Sequence, residues 1–143
     1  MLTMHRLIYY FLVTIGAGLV LYLSWRSQPV MGYVWFIPKP IAVWADKQEN
    51  DTIRTAVPLV GLGVLVGMQL AWQRRPIWQW LAAWVLMFAL VILAEAGQYF
   101  RAYRSFDVAD IVWGGVGAAI GLALIAVLQA GYLLLRKTSS PGH

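Results

Sequence analysis

The sequence predicts an all-α fold, a single integral-membrane domain over residues 1–143 built as a bundle of four transmembrane helices. Three observations predict it. Of the 143 residues, 61% are hydrophobic and only 12% are charged, against about a quarter charged in a typical soluble domain. The apolar residues gather in four runs, each near the roughly twenty residues needed to cross hydrocarbon. Tryptophans and cations collect at the ends of those runs, where amphipathic rings and positive charge meet headgroups. A soluble enzyme, a secreted disulfide scaffold and a disordered tail all fit poorly. With no cysteine in the chain, thiolate metal sites, iron–sulfur clusters and a cysteine nucleophile are excluded.

The first span is expected over residues 7–24. Arg6 precedes it as in a signal peptide, but the run is long for that. Ser24-Trp25-Arg26-Ser27 also offers no small-residue cleavage site, so we expect a retained helix bounded by Pro29. A long loop, 25–54, follows. Its stretch Val34-Trp35-Phe36-Ile37-Pro38-Lys39-Pro40, with Trp44 beyond, is too apolar to float in water. It is expected to lie along the interface or fold over the bundle. The second span covers 56–72, with Pro58 near its start. The third covers 77–97, where Pro76 suits the entry to a first helical turn. The fourth covers 110–135. No internal repeat or low-complexity segment is visible.

Four spans place both termini on one side, together with the turn at Arg74 and Arg75. That side carries Arg6, Arg74, Arg75, Arg136 and Lys137 and no acid. The other side carries Arg26, Lys39, Lys47, Arg54, Arg101 and Arg104, and all of the acids. Positive charge is denser on the side with the shorter loops, so both termini are expected in the cytoplasm. The net charge of +5 is thereby read as membrane topology, not nucleic-acid binding. Trp72, Trp78 and Trp80 are expected at one interface; Trp25, Trp35, Trp44 and Trp113 at or near the other. Glycines recur within the spans: Gly16 and Gly18, then Gly61, Gly63 and Gly67, then Gly114, Gly115, Gly117 and Gly121. Small residues let helix backbones approach closely in lipid. Packing within the bundle is the favoured role for Gly114, Gly117 and Gly121, with a docking face for a partner as the alternative.

Polar residues recur at every third position at the end of the third span: Glu95, Gln98, Arg101, Arg104, Asp107 and Asp110. On one continuous helix such steps drift around the surface, so a break is expected near residues 102–105. Asp107 would then cap the fourth helix and Asp110 would sit in its first turn. A carboxylate such as Glu95 in apolar surroundings needs a proton or a partner, and Arg101, Arg104 or Lys47 could serve. Two readings of the cluster follow. It is an ion-pair clamp across the turn, or a pocket whose arginines hold an anionic group. Chemistry alone favours the clamp. No GxSxG elbow, phosphate-binding Gly loop or HExxH is present, so no catalytic residue is assigned and an enzyme is disfavoured. His5 and His143 are both terminal, so no metal or other cofactor is expected.

At these residues the sequence resembles the VanZ-like family of small membrane proteins. The family pattern E-x-x-Q, then Pro-Gly-Arg, then D-x-x-x-N-x-x-G-x-x-x-G is similar to Glu95-Ala96-Gly97-Gln98, then Arg104 to Asp107, then Asp110, Gly117 and Gly121. An upstream D-K-x-x-H element is similar to Asp46-Lys47-Gln48-Glu49-Asn50. The resemblance covers about residues 44–122. It implies a compact multi-pass helical domain in the bacterial inner membrane and a link to glycopeptide antibiotic resistance. The chain departs from the pattern at Ala102-Tyr103 for Pro-Gly, at Asn50 for His and at Gly114 for Asn. Loss of the His removes the best proton-transfer group, which favours binding or scaffolding. Three functions therefore compete. One is an envelope protein whose outer polar cluster binds an anionic lipid or cell-wall-precursor headgroup through Arg101 and Arg104. The second is an accessory subunit of a larger, for example bioenergetic, membrane complex. The third and weakest is a small transporter, since the first and second spans carry no ionisable residue.

Overall fold

In hydrocarbon every backbone polar group must bond within the protein, so each apolar run folds as a helix. The computed structural model describes residues 4–25, 30–50, 53–100 and 107–138. Four long helices result: α1 (Met4–Trp25), α3 (Ala56–Trp72), α4 (Ile77–Tyr99) and α5 (Val108–Thr138), with a short α2 (Lys39–Ala45) between the first two. All four are long and apolar enough to cross a membrane, the second counted with the 3₁₀ turn Ile53–Thr55 ahead of it. The fourth outruns its expected bounds by two or three residues at either end.

The centre of the bundle is the pair α3 and α5, because glycine lets their backbones touch. A Cβ on Gly63 would lie 2.6 Å from the Ala118 carbonyl oxygen and 3.1 Å from the Gly121 Cα. One on Gly117 would strike the backbone of Ala56, and one on Gly121 the carbonyl of Val60. Helix α4 approaches α5 in the same way, through Val91 on Gly114 at 2.7 Å and Phe88 on Gly115 at 2.6 Å. Leu59 and Leu62 of α3, Trp80, Met87 and Val91 of α4, and Ala118 and Leu122 of α5 fill the core, with Val20 of α1. Near the far end, the Gln129 amide donates to the Ala71 carbonyl at 3.1 Å. This sets the end of α3 beside the last third of α5.

Helix α1 is the outlier, since Val20 is its one buried residue. Its C-terminal end is tied down by Trp25, whose indole N–H donates to the Ala94 carbonyl at 3.0 Å. The same ring fills the space where a side chain on Gly97 would go.

Between α3 and α4 the chain reverses tightly. Arg75 N–H donates to the Leu70 carbonyl at 2.9 Å and Arg74 N–H to Ala71 at 3.0 Å. Arg74 adopts the left-handed φ of 50° that this Schellman closure requires. Trp72 and Trp78 are exposed, but Trp80 is buried. It lies one turn into α4 on the core face, and its indole N–H reaches back to the Arg75 carbonyl at 3.2 Å.

The long loop folds over one end of the bundle and holds α2, a helix its proline-rich sequence concealed. Pro38 caps α2, and its carbonyl accepts from the N–H groups of Ile41 and Ala42, both at 3.0 Å. Pro40 is tolerated because an N–H in the first turn would have no helical partner. Val34, Ala42 and Ala45 are buried, whereas Trp35 stands almost fully exposed.

Candidate functional site

The end of the bundle covered by this loop gathers the close of α1, the start of α3, the close of α4 and the start of α5. The candidate site lies there. Glu95 and Gln98, three residues apart on α4, share the inward face of its last turns. They are the two buried polar side chains among the described residues, at 1% and 3% exposure. Burying a carboxylate is costly unless its oxygens accept hydrogen bonds. Gln98 Nε2 donates to Glu95 Oε1 at 3.0 Å, and the backbone N–H of Asp107 donates to Glu95 Oε2 at 3.3 Å. One buried side chain thus joins the end of α4 to the residue that starts α5.

Asp107 starts α5 by capping it. Its Oδ1 accepts from the Ala109 N–H at 2.8 Å, satisfying a helix donor that otherwise lacks a partner. Asp110 follows in the first turn, near the positive end of the helix dipole. Arg101 and Arg104 lie outside the described residues.

The upstream element forms a separate arrangement on the loop. The Asp46 carboxylate accepts from Met31 N–H at 2.6 Å and Gly32 N–H at 2.9 Å, fastening one stretch of the loop to the end of α2. Lys47, one of the three cations offered as a partner for Glu95, lies with its Nζ 3.9 Å from Glu49 Oε1, both side chains largely exposed. Asn50 donates to the Trp44 carbonyl at 2.8 Å. Asp46 and Asn50 therefore shape the loop.

Under the loop is a cavity of about 320 Å³. Its walls are apolar side chains of α1, α2 and α3, among them Leu23, Ile41, Trp44 and Leu59. Gln98 reaches it from α4, so the cavity adjoins the Glu95 network. Arg54 reaches it from the turn before α3, and its guanidinium donates to the Ala45 carbonyl at 3.4 Å. The sequence reading singled out neither Arg54 as a site residue nor the cavity. The available signal was a lone cation directly ahead of an apolar run. Among the described residues no three His, Asp or Glu side chains converge as a metal centre would need.

The cavity is thus mainly apolar, with Ser24, Thr55, Gln98 and the Arg54 guanidinium as the polar groups among its described lining residues. A family model described as VanZ/LLP1 matches residues 8–129, which takes in every element named above except the first turn of α1 and the last turns of α5. No curated protein and no solved structure matches the chain.

Proposed function

The chain belongs to the VanZ-like family, and on that footing we propose a non-catalytic role for this multi-pass membrane protein. It binds the anionic headgroup of a lipid or a lipid-linked cell-wall precursor at its loop-covered end, through Arg101 and Arg104. One observation carries the reading. The buried Glu95 carboxylate is hydrogen-bonded on both flanks of the segment that contains the two arginines, to Gln98 before it and Asp107 after it. A segment anchored at both ends loses less entropy on binding than a free loop, and guanidinium forks suit phosphate and carboxylate oxygens. The membrane in this reading is the bacterial inner membrane, with both termini and the Arg74–Arg75 turn in the cytoplasm and the loop outside. Altered sensitivity to glycopeptide antibiotics follows if the bound headgroup belongs to a wall precursor.

The test is binding of a short-chain phosphatidic acid to the purified full-length protein. Arg104→Ala lowers the affinity about tenfold, the worth of one charge-assisted contact, with helicity unchanged. Arg136→Ala, at the opposite end, leaves it unaltered. Equal affinity in Arg104→Ala and the unaltered protein refutes the assignment.

A second reading rests on the exposure of α1, which buries Val20 alone. As an accessory subunit of a larger membrane assembly the protein would cover that helix with a neighbour. Gentle extraction followed by native mass measurement decides: stoichiometric co-migration with other proteins supports it, and a lone monomer or dimer opposes it.

A further inference from the structure

We propose that the turn between α3 and α4 holds the phosphate of an anionic phospholipid of the surrounding leaflet, through Arg74 and Arg75. The site lies at the other end of the bundle from the headgroup reading above and does not depend on it. The first support is charge. The acids of the chain fall at 46–51, at Glu95 and at 107–110. Those positions precede α3, close α4 and start α5, each a helix length of roughly 25 Å from the turn. Residues 1–45, 52–94 and 111–143 contain neither Asp nor Glu, so no acidic side chain of this chain reaches the two arginines. Arg75 Nε donates to Gln73 Oε1 at 2.7 Å, a neutral acceptor that cancels no charge. The counter-charge therefore comes from the surroundings.

The second support is the backbone. Arg74 has a φ of 50°, at a helix-closing place where glycine is unstrained and an L side chain is not. Strain held at one residue points to a use for its side chain. Here the arginine sets a cation at the apex of the turn.

The third support is placement. Trp72 and Trp78 flank the turn and are exposed, and indoles belong at headgroup depth. The Gln129 bond to Ala71 turns one face of α5 toward the end of α3. Tyr132 and Leu133, three and four residues on, share that face and continue past the end of α3. The turn thus sits beside an apolar wall, where a guanidinium is only partly hydrated and favours an anchored counter-ion. A phosphodiester fits, since it lies at the junction of head and chain and accepts forked donors. A zwitterionic head brings a cation that the arginines repel; an anionic lipid brings none. The turn is open at its side, so it holds a lipid whose chains already lie in the bilayer. Short-chain phosphatidic acid in solution has no such hold there, and its binding reports on the loop-covered end alone.

The experiment uses the full-length protein in phosphatidylcholine nanodiscs doped with a photolipid. This lipid carries a diazirine near the glycerol end of one chain, and its head is either phosphoglycerol or phosphocholine. After illumination, adducts are mapped by peptide mass spectrometry. Across residues 70–80 the phosphoglycerol lipid labels more strongly than the phosphocholine lipid, by about fivefold for each arginine. Across 85–93, in the middle of α4, the two label equally. Arg74→Gly lowers the ratio at 70–80 about fivefold, although it relaxes the backbone and so does not impair folding. Arg74→Lys keeps part of the ratio, as a charge without the fork. Arg104→Ala leaves it unaltered, which separates this site from the one at the loop-covered end. A ratio near one at 70–80 in the unaltered protein overturns the proposal. So does an unchanged ratio when Arg74→Gly is combined with Arg75→Gln. Loss of the ratio in millimolar inorganic phosphate assigns the turn to the free ion and overturns the lipid assignment as well.

Discussion

Adding a single methyl group at Gly121 tests the α3–α5 contact directly. In Gly121→Ala the new Cβ would meet the Val60 carbonyl, and at 2.8 Å and 2.9 Å the Val64 nitrogen and the Gly63 Cα. All three are backbone atoms, so no side chain can rotate away and the helices must separate. Overpacking of this kind costs typically about 1–3 kcal/mol. Alanine returns about 0.5–1 kcal/mol through its better helix propensity, so the net effect is a loss. Gly131 supplies the control on the same helix, since a Cβ there meets nothing within 4 Å. Gly131→Ala keeps the propensity gain without the clash and is stabilised by about 0.5–1 kcal/mol. The assay is unfolding in mixed micelles with increasing dodecyl sulfate, followed by circular dichroism. A midpoint for Gly121→Ala at or above that of Gly131→Ala would refute the claim that backbone contact holds these helices together.

Three further outcomes follow from the same geometry. Glu95→Ala leaves the Gln98 amide and the Asp107 N–H without the acceptor they share; it costs about 1–3 kcal/mol per orphaned group and speeds proteolysis between residues 100 and 107. Glu95→Gln, which keeps one acceptor, loses less by the same measure. Arg74→Gly relieves the left-handed backbone at φ 50° and raises stability by about 1 kcal/mol, read as a higher unfolding midpoint. Asp46→Ala removes the acceptor for two loop N–H groups; amide exchange then accelerates at Met31 and Gly32 while the core of α5 stays protected, and equal protection of those two amides would refute the clamp.

The spans were legible because hydrophobic run length is a one-dimensional signal and the membrane permits few alternatives to a helix. Helix α2 was not, since Pro38 and Pro40 suggest irregular chain unless one knows that both fall at a helix start. The break expected near residues 102–105 lies outside the described residues, while Asp107 and Asp110 occupy the cap and first turn expected of them. The position of Trp80 could not be read, because it depends on which face of α4 meets the core. The cavity and the seat of Trp25 on Gly97 were hidden for a related reason. Both arise from how α1 and the loop lean on the other helices, a relation between distant segments that no local pattern records. Asp46 and Lys47 show the converse. Their motif drew attention to them, yet Asp46 holds its own loop together and Lys47 lies beside Glu49.

The unequal lengths of the two central helices bear on the bilayer itself. Helix α3 has 17 residues, about 26 Å of rise, and α5 has 31, about 46 Å. The bond from Gln129 to Ala71 fixes their offset, leaving residues 130–138 to run about 13 Å beyond the end of α3. That extension is apolar at Leu133, Leu134 and Leu135 before Arg136 and Lys137 end it. A flat, uniform sheet of lipid cannot match both helices. Either the acyl chains beside the Arg74–Arg75 turn must shorten, or the tail of α5 must slant along the surface. The overhang of α5 is the feature through which bilayer thickness would act on this bundle.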